Sequence, residues 1–470
     1  MVIVGGGASG TLTTVNLLRA LAGTGTACRI VLLDRLGRHA RGTAYSTTDD
    51  THLLNVTAAR MSAFPGDPRH FLRWARSVGV ELTDDTYAPR RLYGRYLTET
   101  LDQAIAAAPS ITVTRVTATA TAITELHPRT EPDSGHALRV HLGAGGRIDA
   151  DLVVMATGNR PPGDPVPGLR WSPRYVADPW RPGALRHRTG RAVCVGTGLT
   201  MIDVALTLTR DPSTVVYAVS RHGLTPRPHD TAAAVCPAPA APPPDGPLRL
   251  VEAIRWLNTV IARCPDWRVA MDLVRPYVPD LWRRLPDADR RIFLDRLARY
   301  WEVHRHRMPE ATARRVDALR ASGRLRLVTG AVRGAEMYGD AVEVTIAGPG
   351  GDHMISADWL VNCTGPRERL TPDGGPYDPD DPLFTRLITS GLALPGPMNI
   401  GLATTPEGAL LTPEAAAHPR LYTLGPPRRG ALYESTAIPE IRCQAQTLAT
   451  HLAAALTQPA ATPHAPAPAH

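Results

Sequence analysis

The hydrophobic pattern of the chain begins with a short β-branched run that leads directly into a glycine-rich turn. Apolar residues at helical spacing follow, and a second apolar run at residues 30–33 then ends in Asp34. The glycines of the turn stand at Gly5, Gly7 and Gly10. This order of strand, turn, helix and strand predicts a β-α-β unit that binds a dinucleotide.

Each position in this unit has a physical role in dinucleotide binding. Gly5 permits a tight turn, Gly7 lets the backbone approach a pyrophosphate, and Gly10 lets the helix pack close to the strand. The helix starts at Ala8 and Ser9, where free N–H groups can bind phosphate. Asp34 can accept hydrogen bonds from ribose hydroxyls.

A second strand–glycine–helix pattern occurs at residues 191–203, with glycines at Gly196 and Gly198. Leu199 and Thr200 would open its helix, and Met201 stands where a third glycine is expected. The next strand, residues 214–219, ends in Ser220 and Arg221 without an acidic residue. Serine and arginine suit the 2′-phosphate of NADP, so we expect NADPH rather than NADH, although a solvent-facing Arg221 is the alternative.

Three further segments are expected to meet the cofactors. Two apolar runs end in Thr-Gly, which predicts that the chain crosses close to a flavin dinucleotide at Thr157, Gly158 and Gly365. A helix is expected to open within residues 433–442, with Ser435 or Thr436 as its cap, and Glu434 and Thr436 are candidate cofactor contacts. The positive end of that helix would stabilise a reduced flavin.

An irregular loop after Asp34 is expected to cross the flavin. The polar residue Asn55 is the candidate catalytic, flavin-facing group, and Arg60, Met61 and Ser62 are candidate cofactor contacts; an ordinary surface loop is the alternative. Phe64–Trp74 also matches the F-x-G-x-x-x-H-x-x-x-W fingerprint of Baeyer–Villiger monooxygenases. We attribute that match to coincidence because the second glycine motif lies far downstream.

The order of elements predicts an α/β fold with two Rossmann-like dinucleotide-binding domains, one for FAD and one for NAD(P). The second is interpolated in the first and carries a helical insertion at about 248–322. The expected domains are 1–164 (FAD, first part), 165–324 (NAD(P)), 325–456 (FAD, second part) and a disordered tail, 457–470. Residues 111–126 and 138–148 alternate in polarity and predict an antiparallel meander around a polar turn at 128–135.

Composition narrows the function classes. The net charge is +8 and all 52 basic residues are arginines, but they are scattered along the chain, which argues against nucleic-acid binding. None of the six cysteines forms C-x-x-C, which argues against a zinc site and a dithiol redox centre. No apolar run has transmembrane length, so no membrane partner is expected and the cytoplasm is the expected compartment. The oligomeric state stays open.

Several runs together resemble the bacterial FAD/NAD(P)-binding protein family, which is distantly related to flavin-containing and ornithine/lysine N-monooxygenases. They are VIVGGGASG at the N-terminus, HLLNVTAARM (52–61), GTGLTMID (196–203), SRHGLTPRPH (220–229), WEVHRHRM (301–308) and ESTAIPEIR (434–442). The resemblance implies a FAD fold reduced by a nicotinamide cofactor.

The leading hypothesis is an NADPH-dependent FAD oxidoreductase, a monooxygenase that oxygenates a small-molecule amine or other soft nucleophile with O₂ through a C4a-hydroperoxyflavin. A flavin oxidase or reductase without oxygen insertion is an alternative on the same fold. A non-catalytic flavin-binding sensor or scaffold is an alternative of another class, which an intact second glycine motif disfavours.

Overall fold

The computed structural model of the chain describes residues 1–126, 136–230, 242–370 and 381–457. The expected turn at 128–135, Cys236 and the expected tail from 458 onwards lie outside them. The strands are β1 (Val2–Val4), β2 (Cys28–Asp34), β3 (Ile111–Thr117), β4 (Ala120–Glu125), β5 (Leu138–Leu142), β6 (Arg147–Ala150), β7 (Val153–Met155), β8 (Tyr175–Val176), β9 (Arg191–Val195), β10 (Val215–Ser220), β11 (Leu325–Thr329), β12 (Ala331–Tyr338), β13 (Ala341–Gly348), β14 (Gly351–Ala357), β15 (Trp359–Asn362), β16 (Ala409–Leu411) and β17 (Ala417–Thr423).

Some of the helices pack on the two parallel sheets, and others form one separate group. They are α1 (Ala8–Leu21), α2 (His70–Ser77), α3 (Arg90–Ala106), α4 (Leu199–Leu208), α5 (Leu250–Arg263), α6 (Trp267–Val274), α7 (Val278–Arg284), α8 (Asp287–Ile292), α9 (Ala298–Arg305), α10 (Glu310–Ala321), α11 (Pro382–Thr389), α12 (Arg429–Leu432) and α13 (Ile438–Thr457).

The first sheet has the strand order β16-β17-β7-β1-β2-β3. All neighbours in it are parallel except β16 and β17. The first strand lies centrally, and Val2 is paired with Val31 on one side and Val153 on the other. Helices α1, α3 and α13 pack together over this sheet, with Leu12, Leu17 and their neighbours fully buried. Burying every side chain of the central strand explains its continuous apolar sequence.

The second sheet repeats this arrangement with the order β11-β10-β9-β15-β8, all parallel. Strand β15 lies beside β9 in the second sheet, just as β7 lies beside β1 in the first, and we call β7 and β15 the crossing strands. A three-stranded antiparallel sheet precedes each crossing strand along the chain, β4-β5-β6 in the first unit and β12-β13-β14 in the second. Both units are therefore parallel sheets of the Rossmann type, as the sequence predicts.

This repeat moves two predicted boundaries. The predicted domain limit at 324 falls within the second sheet, because β11 pairs with β10 and β15 pairs with β9. Residues 325–362 therefore complete the second unit rather than returning to the first. The predicted meander is also shorter than expected, because Ile111–Thr117 pairs in parallel with β2 and only β4 to β6 form the antiparallel sheet.

The predicted helical insertion is present between β10 and β11. Helices α5 to α9 form it, and a π-helical turn at Phe293–Leu297 interrupts them. The next helix, α10, instead packs against α4 and β11 and so covers the second sheet. The insertion also contacts α12, which precedes α13 at the end of the first unit.

Candidate functional site

The glycine turn before α1 is held by close backbone contacts. Gly5 has φ +113°, and a Cβ placed on it would lie 2.2 Å from the carbonyl oxygen of Ala156. A Cβ on Gly10 would lie 2.0 Å from the carbonyl oxygen of Gly5. Only glycine fits at these two positions, because the crossing strand and the helix both touch the turn. We call Gly5–Gly10 the first cradle.

The loop after β2 packs across the first cradle. The Ala40 amide donates to the carbonyl oxygen of Gly6 at 2.7 Å. A Cβ on Gly42 would lie 2.9 Å from the Cα of Gly7. One carboxylate oxygen of Asp34 accepts the amides of Leu36 at 3.0 Å and Arg38 at 2.9 Å. Asp34, predicted as a ribose ligand, therefore also orients this loop, and Gly42 is a close-approach position that the sequence analysis missed.

The C-terminal part of the chain closes the first cradle from another side. Helix α13 packs along α1, and a Cβ on Gly425 would lie 3.0 Å from the Ser9 hydroxyl oxygen. The Gly425 amide donates to the Gln444 side-chain oxygen on α13 at 2.9 Å. The predicted helix is present and begins at Ile438, two residues after the candidate cap Thr436, whereas Tyr433 lies before it with φ +52°.

Buried polar atoms near the first cradle test whether FAD fits there. His39 Nδ1 and Thr157 Oγ1 are buried and have no hydrogen-bond partner among the described residues. His39 lies in the loop over the cradle, and the Thr157 amide lies 2.9 Å from the Cβ position of Gly5. Gly158 follows with nothing within 4 Å of its Cβ position. A ligand rich in phosphate and hydroxyl groups would supply these missing partners, so the residues fit the ADP part of FAD.

The segment Arg60–Ser62 lies against α13 rather than free beside a cavity. Met61 is buried in the apolar core of the first unit. The Ser62 hydroxyl donates to the carbonyl oxygens of Asp67 at 2.6 Å and Phe64 at 3.2 Å. Arg442 on α13 donates to the carbonyl oxygen of Ser62 at 3.0 Å. The side chains of Met61 and Ser62 are therefore engaged in packing and loop structure, which differs from their predicted cofactor contact.

Asn55 and Glu434, two other predicted site residues, connect separate parts of the fold. The Asn55 carbonyl oxygen lies 3.1 Å from Nε2 of His229, which follows β10. Both carboxylate oxygens of Glu434 pair with Arg305 on α9, at 2.9 and 3.2 Å. Glu434, a predicted cofactor contact, therefore takes part in a buried ion pair that joins α9 to the C-terminal segment. Thr436 is half-buried just before α13.

The second glycine turn repeats the geometry of the first. Gly196 has φ +110°, and a Cβ on it would lie 2.4 Å from the carbonyl oxygen of Cys363 on the crossing segment. Gly198 has nothing within 4 Å of its Cβ position. Leu199 and Thr200 open α4, which has no acidic residue in its first turn. We call Gly196–Thr200 the second cradle.

Two residues near the second cradle change the sequence-based assignments. Met201 is fully buried in the apolar core of the second unit. Gly365 follows Cys363 and so lies on the crossing segment of the second sheet, whereas the sequence analysis placed it at the flavin.

The end of β10 lies beside the second cradle. The Ser220 hydroxyl oxygen accepts from the Thr197 hydroxyl at 2.9 Å and from the Gly223 amide at 3.1 Å. Arg221 is exposed, so its side chain is free to reach a phosphate or solvent. Thr197 is a position that the sequence analysis missed.

A buried polar cluster joins the two units. Asp203 on α4 pairs with Arg90 at the start of α3 at 2.9 Å, and burial raises the pKa of Asp203. His52 Nε2 lies 2.9 Å from the Thr207 hydroxyl, also on α4. Asp49 accepts from Thr207 at 2.9 Å. This cluster fixes α4 against the loop of the first unit, and no local sequence pattern indicated it.

A second charged cluster attaches the helical insertion to the C-terminal segment. Glu302 on α9 contacts Arg429 at 2.6 Å, His306 at 2.9 Å and the Tyr433 hydroxyl at 3.2 Å. Burial opposes ionisation of Glu302, but His306 and Arg429 outweigh it and hold its pKa well below the usual range. Burial raises the pKa of Glu368, the second carboxylate beside Arg429 at 2.9 Å.

The segment matching the Baeyer–Villiger fingerprint is structural. Phe64 and Trp74 are buried in the core of the first unit. His70 Nδ1 lies 2.8 Å from the Tyr96 hydroxyl, and Gly66 is exposed. The fingerprint residues thus form an aromatic cluster around α2 and α3, in agreement with the interpretation as coincidence.

Comparisons with known proteins agree with this geometry. Residues 2–160 match a family model described as FAD-NAD(P)-binding. A search of curated proteins found no match. Among solved structures, the chain is similar to L-lysine 6-monooxygenase from Pseudomonas syringae, with 15% identity and a TM-score of 0.64 over 97% of this chain and 99% of that chain.

Two other solved structures share the fold. The ornithine N-hydroxylase of Kutzneria sp. 744, described with reduced FAD, NADP⁺ and L-ornithine, is 14% identical with a TM-score of 0.59 over 96% of this chain and 98% of that chain. The bacillithiol disulfide reductase of Bacillus cereus is 12% identical with a TM-score of 0.54 over 97% and 98%. Within the described ranges, no helix combines the length and apolarity needed to span a membrane. The chain thus contains a FAD/NAD(P)-binding domain at residues 2–160, in a fold shared with lysine and ornithine monooxygenases.

Proposed function

We propose that the protein is an FAD-dependent oxidoreductase that is reduced by NADPH and oxygenates a small-molecule amine or another soft nucleophile. For an amine, NADPH, a proton and O₂ are consumed. One oxygen atom enters the substrate as a hydroxylamine and the other leaves as water, while NADP⁺ is released. Bound FAD supplies the two-electron and oxygen chemistry, and the chain supplies binding and orientation.

The observation that carries this proposal is the duplicated cradle. Gly5 and Gly196 have the same positive φ and the same close approach to a crossing segment, at Ala156 and Cys363 respectively. Each turn opens a helix without an acidic first turn, α1 and α4. Two such cradles suit two dinucleotides, one resident and one that delivers hydride. A flavin sensor without turnover has no need for the second.

The chain's own residues have distinct roles in this proposal. Arg221 and Ser220 are proposed to bind the 2′-phosphate of NADPH. They stand at the end of β10, where an NAD site would instead have an acidic residue that binds the ribose 2′-hydroxyl. The loop over the first cradle, with Gly42 against Gly7, would exclude water from the phosphates of FAD. Asn55 remains the proposed flavin-facing polar group. The relatives' use of ornithine and lysine supports an amine substrate.

Rapid mixing of the purified protein with NADPH or NADH tests the proposal. We expect bound flavin, bleaching that is faster with NADPH, and a transient flavin spectrum on mixing with O₂ before the oxidised spectrum returns. Bleaching without that transient would identify a reductase or oxidase. Absence of bound flavin, or flavin that neither nicotinamide reduces with candidate amines present, would refute the proposal.

The variant Arg221→Ala separates the two nicotinamides. We expect its Kd for NADPH to rise about 10-fold, with the Kd for NADH unchanged, because only NADPH carries the extra phosphate. Arg314→Ala, at an exposed arginine on α10, is the matched control. Unchanged selectivity in Arg221→Ala would remove Arg221 from this role.

A further inference from the structure

The helical insertion forms an apolar cavity of about 400 Å³ that is open to solvent on one side. Helices α5, α6, α7 and α9 contribute its walls, and Tyr433 of the C-terminal segment completes them. Four tryptophans line it, and they are Trp256, Trp267, Trp282 and Trp301. Ligand pockets occupy about 300–1,000 Å³ and are lined mainly by apolar and aromatic side chains, and this cavity has both properties.

The aromatic walls are held in place by bonds to the C-terminal segment. Trp282 Nε1 donates to the carbonyl oxygen of Gly430 at 2.7 Å, and Trp301 Nε1 donates to Glu434 at 3.3 Å. The Trp282 and Tyr433 rings stack with centroids 4.7 Å apart. These bonds satisfy the N–H groups of Trp282 and Trp301 and fix the orientation of both rings in the cavity wall.

Among the described residues, the lining of the cavity offers no charged partner for an amino-acid headgroup. It contains one imidazole, His304, and no carboxylate or guanidinium from these parts of the chain. Guanidinium groups lie over lining rings, among them Arg268 over Trp267 at 4.6 Å and Arg290 over Trp282 at 5.6 Å, and each of these two is paired with an aspartate. The ion pairs Arg305–Glu434 and Arg429–Glu302 are formed beside the wall that Tyr433 completes. An unpaired carboxylate in such a cavity would lose its hydration without compensation.

The cavity also adjoins the segment that closes the first cradle. Tyr433 lies in its wall, and the chain runs from there directly into α13, which packs on α1. At the outer side, the cavity is lined by Ile254 and Tyr300, which are 36% and 48% exposed. A molecule entering from solvent would thus lie between the outer surface and the C-terminal segment of the first unit.

We infer that this cavity binds the apolar body, alkyl or aromatic, of a primary-amine substrate. This inference rests on the proposed function and gives its substrate class: an apolar amine, rather than a zwitterionic amino acid such as ornithine or lysine.

Calorimetric titration of the oxidised holoprotein with butylamine, hexylamine, octylamine, ornithine and lysine tests the inference without turnover. We expect affinity to rise about four-fold for each added methylene until the cavity is filled, with ornithine and lysine binding more weakly than hexylamine. Ala253→Phe fills the cavity from α5 and should weaken octylamine binding at least 10-fold. Ala262→Phe, at an exposed position of the same helix outside the lining, should leave it unchanged.

A milder pair of variants protects the test against misfolding. Ile254→Ala removes part of the outer wall and should weaken octylamine binding several-fold, whereas Val251→Ala, 51% exposed on the same helix, should not. The inference would be overturned if affinity did not depend on the length of the alkyl chain, or if the two variants of each pair weakened octylamine binding equally. Either result would leave NADPH-driven flavin reduction intact. Chain-length-dependent binding without flavin reduction by NADPH would instead refute the proposed function and, with it, the assignment of the ligand as substrate.

Discussion

Gly198→Ala at the second cradle should weaken nucleotide binding while leaving the stability of the fold nearly unchanged. Gly198 has φ −77° and ψ −170°, a conformation open to any L-residue, and nothing lies within 4 Å of its Cβ position. Alanine is a poorer helix N-cap than glycine by up to about 1 kcal/mol. A gain of about 0.4–1 kcal/mol from the less flexible unfolded chain offsets this loss. The melting temperature should therefore change by no more than about 3 °C.

NADP⁺ binding should respond much more strongly to the same change. A phosphate oxygen approaches an amide nitrogen to about 2.9 Å, whereas a methyl carbon keeps neighbouring atoms at about 3.5 Å or more. The added methyl group would displace the pyrophosphate and weaken its hydrogen bonds to the turn. Losing one charge-assisted bond costs about 1.5–3 kcal/mol, which corresponds to about a 10- to 150-fold rise in Kd.

Calorimetric titration with NADP⁺, alongside thermal melting and FAD content, measures these effects. Gly168→Ala is the matched control, because its Cβ position is equally open and lies in a short 3₁₀ turn away from both cradles. Gly196→Ala should instead lower stability by several kcal/mol, since its Cβ would clash at 2.4 Å with Cys363. If Gly198→Ala kept the wild-type NADP⁺ affinity to within two-fold, the assignment of the second cradle to a nicotinamide dinucleotide would be refuted.

Two further predictions concern the contacts between the parts of the fold. Burial, followed by the charge of Arg307, lowers the pKa of His229 to about 4, so the folded state binds this proton less readily than the unfolded state. The free energy of unfolding should therefore fall by up to about 3 kcal/mol as the pH drops from about 6.5 to 4. Urea unfolding curves at a series of pH values measure this fall, and His229→Gln should make the free energy of unfolding depend less on pH in that range. An unchanged pH dependence in His229→Gln would contradict this reasoning. Arg305→Ala leaves Glu434 buried without its partner and should lower the free energy of unfolding by about 3–5 kcal/mol. The control Arg91→Ala breaks an ion pair whose side chains are both 58% exposed, and it should lower the free energy of unfolding by at most about 1 kcal/mol. Equal losses in the two variants would show that burial does not set the strength of these pairs.

The nucleotide cradles were predictable because they are local. Glycines at fixed spacing, a preceding apolar strand and a following helix impose their geometry within about 30 residues of chain. The close approach of Gly5 to Ala156 and of Gly196 to Cys363 gives the physical reason for both first glycines. The matching apolar runs before Thr157 and Gly365 were also visible, but the sequence did not say which sheet each one joins.

Residues whose surroundings come from distant segments were assigned less well. Glu434 looked like a helix-start residue, but its ion pair with Arg305 joins positions 129 residues apart. Ser62 and Met61 looked like loop residues facing a cofactor, but α13 and the core of the first unit enclose them. Side-chain partners of this kind depend on how the units pack, which polarity patterns do not encode.

The amino-acid sequence by itself determined two parallel-sheet dinucleotide units, a helical insertion within the second of them and the glycines that make each turn possible, because these features follow from short-range periodicity and backbone sterics. Only the tertiary structure decided that residues 325–362 complete the second unit, since strand order depends on pairing between distant segments. It also decided that the insertion forms an open aromatic cavity beside Tyr433, because a cavity exists only where several helices leave space between them.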